Sequence, residues 1–185
     1  MLALKAISVL SIAAAFVTAH PPDNQLVARG FNGVTTTETA TQSYQSLTTE
    51  IRTLRVNIAT GKVEEEVAIT QFKSFSYEAT STMTSINGCS LCYHPTRVSS
   101  LTQYAKQTYV EFDLLFETCY QVYGERASRL LTHLSPLDSQ CQRNLSLFSE
   151  NGVHLQHILP PNFIRNVNRV GWPETHRYAS RFFVN

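Results

Sequence analysis

The chain has 185 residues, a formal net charge of +1, 43% hydrophobic and 16% charged residues, which suits one domain with a core of ordinary size. Near neutrality and few lysines argue against a nucleic-acid partner. After the first residues no stretch approaches the ~18 uninterrupted apolar positions of a membrane helix, so no transmembrane segment is predicted.

The opening is read as a leader. Lys5 precedes the apolar run Ala6 to Val17, and Val17-Thr18-Ala19 has the small-residue pattern that signal peptidase cuts after. Residues 1–19 are therefore a predicted signal peptide, and the mature protein is expected to be secreted. Residues 20–34, with Pro21, Pro22, Gly30 and Gly33, show no period and are expected to be a mobile lead-in. Cleavage would leave His20 first, as in the copper-binding histidine brace of secreted polysaccharide monooxygenases. Those enzymes are β-sandwiches, which this helical pattern does not provide, and no cofactor or metal is predicted.

The helical signals begin with Ala40, Tyr44, Leu47, Ile51, Leu54 and Ile58, which step by four and three to mark one helix face, with Gly61 placed as its C-terminal stop. A second helix is expected from Lys62 to Ile86, with Val67, Ile69, Phe72, Phe75, Ala79, Met83 and Ile86 inward and Glu64, Glu65 and Glu66 at its positive end. The most regular seam is Val98, Leu101, Ala105, Thr108, Phe112, Leu115, Cys119 and Val122, in a long third helix from Pro95 to Gly124. Acids Glu111, Asp113 and Glu117 flank it. A fourth helix runs from Glu125 and breaks at Ser135-Pro136-Leu137-Asp138, where Ser135 is the expected N-cap, Pro136 the first helical residue and Asp138 its reach-back partner.

The predicted fold is all-α: an irregular antiparallel four-helix bundle over residues 35–152, with a broken fourth helix, stapled by disulfides. The rest, 153–185, is a short helical tail rich in Arg and aromatic residues. Residues 30–125 carry an acidic excess of four and 126–185 a basic excess of four, so the tail either folds back on the bundle or presents Trp172, Arg177, Tyr178, Arg181 and Phe182 to a partner.

Four cysteines in an exported chain predict two disulfides. Cys89 and Cys92 precede the third helix and Cys119 lies near its far end, so the favoured pairs are Cys89 with Cys92 and Cys119 with Cys141. The second pair needs the Pro136 break to redirect the chain, since a straight return would leave those two about 16 Å apart. C-x-x-C is also a redox signature, but no strand-helix-strand pattern precedes it here. Asn144-Leu145-Ser146 is an N-glycosylation sequon. Glu150, His154 and His157 match no metal-binding spacing.

At Leu134-Ser135-Pro136-Leu137-Asp138-Ser139, and again from Ile158-Leu159-Pro160 through Asn166-Val167-Asn168-Arg169-Val170-Gly171, the chain resembles uncharacterised small secreted helical proteins of basidiomycete fungi. The resemblance implies origin and export, and no activity. The Thr-rich amphipathic helices also resemble fungal hydrophobic-surface-binding proteins, which lack this cysteine pattern. The functional expectation is a non-enzymatic secreted protein with a macromolecular or surface partner. The alternative is a carrier of an apolar ligand held between helices by Tyr104, Tyr109, Phe112 and Phe116.

Overall fold

The computed structural model describes residues 33–61 and 63–183, which form one compact unit with no strand among them. The predicted signal peptide, His20 and all but the end of the lead-in lie outside the described residues. Helix α1 (Thr37–Ala59) opens with a capping box: Thr36 Oγ1 accepts from the Thr39 N–H at 3.2 Å, and Thr39 Oγ1 accepts from the Thr36 N–H at 3.1 Å. The expected seam from Ala40 to Ile58 is buried throughout. Gly61 ends the helix at φ 64°, a conformation that favours glycine.

Helix α2 (Glu65–Asn87) starts later than expected, with Glu64 as N-cap and Glu65 and Glu66 in its first turn. Its buried stripe is Ala68, Phe72, Phe75, Ala79, Met83 and Ile86. Val67 is 49% exposed, because the five-residue step from it to Phe72 turns it well off that face. Helix α3 (Val98–Tyr123) begins three residues after Pro95, which sits instead in a turn after a 3-10 turn at Ser90–Tyr93. The backbone N–H groups of Arg97 and Val98 both donate to the His94 carbonyl, at 2.8 and 2.9 Å, and so close that turn. The fourth helix is broken as expected, into α4 (Ala127–Leu131), a 3-10 turn at Thr132–Leu134 and α5 (Pro136–Glu150). Pro136 is its first residue, but Ser135 is already helical and its side chain caps nothing.

Consecutive long helices run antiparallel, yet the most extensive pairing is between the parallel helices α1 and α3. Thr48 and Thr108 share a hydrogen bond of 2.8 Å across this seam. A turn further on, Arg52 and Arg55 place their Nε atoms 2.8 and 3.0 Å from the two oxygens of the buried Glu111 carboxylate. A carboxylate held there without cations would be costly to desolvate, so this cluster fixes the register of α1 on α3. Helix α2 packs in the same parallel sense on α5, with Thr80 near Pro136 and, further along both, Asn87 on Gln140.

The tail is part of the bundle. Helices α6 (Phe163–Val170) and α7 (Pro173–Ser180) pack on α3 and α5, and Trp172 between them is fully buried against Phe112 and Phe116, with ring centroids 5.8 and 5.2 Å away. Arg165 faces Glu117 at 3.8 Å and Arg169 lies 3.4 Å over the Tyr120 ring, so part of the tail's positive charge is answered by α3. The division at residue 152 expected from the sequence does not appear in the packing.

The carboxylate of Asp138 makes the key attachment. It does not reach back within α5. Its two oxygens accept the N–H groups of Glu174 at 2.9 Å and Thr175 at 2.8 Å, and Thr175 Oγ1 donates to the Asp138 carbonyl at 2.9 Å. Trp172, the residue before α7, has no side-chain acceptor to offer, so the cap comes from another helix. Asp138→Ala is expected to cost about 2 kcal/mol, the upper end for a lost N-cap, because two partly or fully buried donors lose their acceptor together. Urea unfolding checks this; a change below about 0.5 kcal/mol would contradict the capping role.

Candidate interaction surface and the polar core beneath it

Three tyrosines meet two asparagines in the interior. Tyr44 comes from α1, Asn87 from the end of α2, Tyr93 from the 3-10 turn, Tyr109 from α3 and Asn144 from α5, and all are buried. Asn144 Nδ2 lies 2.8 Å from Asn87 Oδ1, 2.8 Å from the Tyr44 hydroxyl and 2.7 Å from that of Tyr93. Its Oδ1 accepts from Tyr44 at 3.1 Å and Tyr109 at 3.0 Å. Asn87 in turn donates through Nδ2 to the Gln140 carbonyl at 2.9 Å. That bond turns Asn87 Oδ1 toward Asn144, which must therefore present its NH₂ there. Burial raises all three tyrosine pKa values, that of Tyr93 to about 12, so the phenols stay neutral donors.

This network corrects the glycosylation expectation. Asn144 is 0% exposed and both atoms of its amide are engaged, so the folded protein has no room for a glycan on that nitrogen. A signal was present in the sequence: Asn144 lies three residues after Cys141 and beside Leu145, on the apolar face of a helix, where an amide needs buried partners.

The Cys89 and Cys92 sulfurs are bonded, with Cα atoms 5.3 Å apart. The disulfide closes the 3-10 turn that delivers Tyr93 to the network and leaves Leu91 62% exposed at its crest. Cys119 and Cys141 are free and buried, contrary to the expected pairing. The Pro136 break does not redirect α5. Tyr109, whose hydroxyl reaches the Cys141 carbonyl at 3.4 Å, lies ten residues before Cys119, about 15 Å along α3 at ~1.5 Å per residue. Burial pushes the Cys119 thiol up to about 12 and raises that of Cys141 further, so neither supplies a reactive thiolate.

The proposed aromatic ligand chamber is filled by protein. Phe112 contacts Phe75, Phe116 and Trp172, and Tyr109 meets Phe163 edge to face at 5.3 Å. Tyr104 sits apart from these, half-buried in a shallow groove where α1 meets α3. Of the tail residues expected at a partner surface, Trp172 belongs to the core, which is a correction. Tyr178 is half-buried with its hydroxyl against Ser149 Oγ, while Arg177, Arg181 and Phe182 are exposed. His154 and His157 are exposed, their rings in edge contact at 5.7 Å.

At the α3–α6 seam, Asn166 Nδ2 donates to Asp113 Oδ1 at 2.7 Å. Burial raises the Asp113 pKa; the Asn166 bond opposes this, nearby Glu117 adds to it and Arg165 opposes it. A folded-state pKa above the unfolded value means that the contribution is most favourable below the unfolded value and is lost as pH rises through the folded one. Asp113→Asn keeps the acceptor and removes the charge. Its melting temperature should match the parent at about pH 3 and exceed it near neutrality, with parallel pH curves as the contrary result.

The surface also carries a groove of about 450 Å³ between α2 and the start of α5, lined by Lys73, Ser76, Tyr77, Thr80, His133 and Pro136 among others. Sequence reading passed over it, since its residues come from separate helices and share no motif.

The architecture defines a small all-α bundle with one short-range disulfide, a buried tyrosine–asparagine network and a docked tail; no described helix is long and apolar enough to cross a membrane. Residues 38–125 match the family model described as infection structure-specific protein 24-like, a fungal family. The match spans α1 to α3 with the disulfide turn, somewhat less than half of the chain, and does not overlap the stretches that resemble basidiomycete secreted proteins. No curated protein and no solved structure matches the chain.

Proposed function

We propose that this protein is a secreted, non-enzymatic interaction protein of a fungus, used where infection structures form. The observation that carries the reading is the family match over α1 to α3, whose description names infection structures. The chemistry of the interior agrees with it. The tyrosines and thiols there are sealed from solvent and held in their neutral forms, which suits a rigid scaffold better than a set of acid, base and nucleophile. The signal-like leader supports export, and the resemblance of α5 and α6 supports a basidiomycete source.

The test is to tag the chain at its C-terminus in a fungus that encodes it and to follow it by immunolabelling in growing hyphae and in infection structures. The reading expects labelled protein outside the cell, enriched at the infection structures and shortened at its N-terminus. Retention inside the cell, or equal labelling in both growth forms, would contradict it.

A further inference from the structure

The groove between α2 and α5 combines three features that point to one ligand chemistry. The first is a pair of hydroxyls without partners among the described residues. Serine and threonine inside these helices commonly donate to the carbonyl four residues back: Thr70 to Glu66, Thr84 to Thr80 and Ser85 to Ser81 on α2 itself, and Thr48, Thr53, Thr102 and Thr118 elsewhere. Ser76 and Thr80 do not. Both line the groove one helical turn apart, Ser76 is 96% buried, and neither hydroxyl has a hydrogen-bond partner among the described residues. A buried hydroxyl left unpaired is a net cost to the fold unless something else satisfies it.

The second feature is a platform. Tyr77 is 77% exposed on the same wall, with Pro136 on the opposite one. The negative face of an exposed phenol ring attracts the polarised C–H bonds of a saturated ring laid against it. The third is charge. Lys73 lines the groove, no carboxylate does, and Lys73 has no ion pair among the described residues. An anionic group would be held there by charge-assisted hydrogen bonds.

We propose that this groove binds a uronic acid unit of an acidic polysaccharide, its ring against Tyr77, its hydroxyls turned to Ser76 and Thr80 and its carboxylate toward Lys73. The volume suits one or two sugar rings. This deepens the interaction-protein reading by naming a ligand class, and rests on it only in placing the encounter outside the cell.

The experiment is calorimetric titration of the secreted protein with a galacturonate trimer, and with a neutral hexose trimer as control, alongside thermal melts. The proposal expects saturable binding of the galacturonate trimer only, weakened about tenfold or more by Lys73→Gln and by Tyr77→Ala. Ser76→Ala separates a binding role from a structural one: it should weaken binding while raising the melting temperature, since it deletes an unpaired buried hydroxyl. Absence of binding, equal binding of both trimers, or binding unaffected by all three substitutions would overturn the proposal. The labelling experiment can fail without altering this titration, so the two claims are refuted separately.

Discussion

Asn144→Ala is expected to destabilise the protein by about 3 kcal/mol, because the amide it deletes is shared by four elements of the core. Asn87 Oδ1 loses the donor it faces at 2.8 Å, and the amide cannot turn to find another, since Asn87 Nδ2 is committed to Gln140. The tyrosines suffer less. Tyr44 and Tyr93 are 3.2 Å apart and can bond one another, and Tyr109 retains the Cys141 carbonyl at 3.4 Å. The main cost is therefore one buried acceptor left dry and a void of amide size. Asn144→Asp should be at least as damaging, as it sets a carboxylate oxygen against Asn87 Oδ1. Denaturant unfolding of the unglycosylated protein from a bacterial host isolates the effect from any glycan. A loss below about 1 kcal/mol, or a glycan found on Asn144 of the folded secreted protein, would contradict the buried network.

Trp172→Ala is expected to cost more, about 4 kcal/mol. The indole is fully buried and meets Phe112 and Phe116 edge to face, so its removal opens a cavity where α3, α6 and α7 join. Asp138 ties the next turn of the chain to α5, and the two attachments should reinforce each other. In the double variant with Asp138→Ala the loss should differ from the sum of the single losses, since both act on the same short helix. If Trp172→Ala changed stability by less than about 1 kcal/mol, the tail would be an ornament on an independent bundle.

The sequence revealed elements wherever burial follows a helical period. The α1 seam from Ala40 to Ile58, the α3 seam from Val98 to Cys119 and the helical character of the tail were legible because each position depends only on its neighbours a turn away. What was not legible depends on which helix lies beside which. Nothing local says that α1 packs parallel to α3, so Glu111 reads as a flanking acid and its pairing with Arg52 and Arg55 stays hidden. The roles of Asp138 and Asn144 were missed for the same reason: one looked like a local cap and the other like a sequon. Both left a trace, however. Pro173-Glu174-Thr175 begins a helix with no capping residue before it, and an amide on an apolar helix face requires partners. The Cys119 and Cys141 pairing failed because export chemistry predicted a bond that the rise of α3 forbids.

The groove at Lys73 and Tyr77 shows the complementary limit. Its residues on α2 lie on one surface of that helix, but His133 and Pro136 join them only through the parallel packing of α2 and α5. Within the helical Ser and Thr pattern of this chain, unpaired Ser76 and Thr80 become visible only once their neighbours' hydrogen bonds are known.

Trp172 is the only tryptophan in the chain, and it sits where the tail enters the core. The most direct test of the central structural claim, that tail and helices form one cooperative unit, is thermal unfolding followed in parallel by tryptophan fluorescence and by far-ultraviolet circular dichroism. A blue-shifted native emission and a single midpoint shared by both signals are expected. A red-shifted native emission, or a fluorescence transition well below the loss of helix, would show that the tail is not part of the fold.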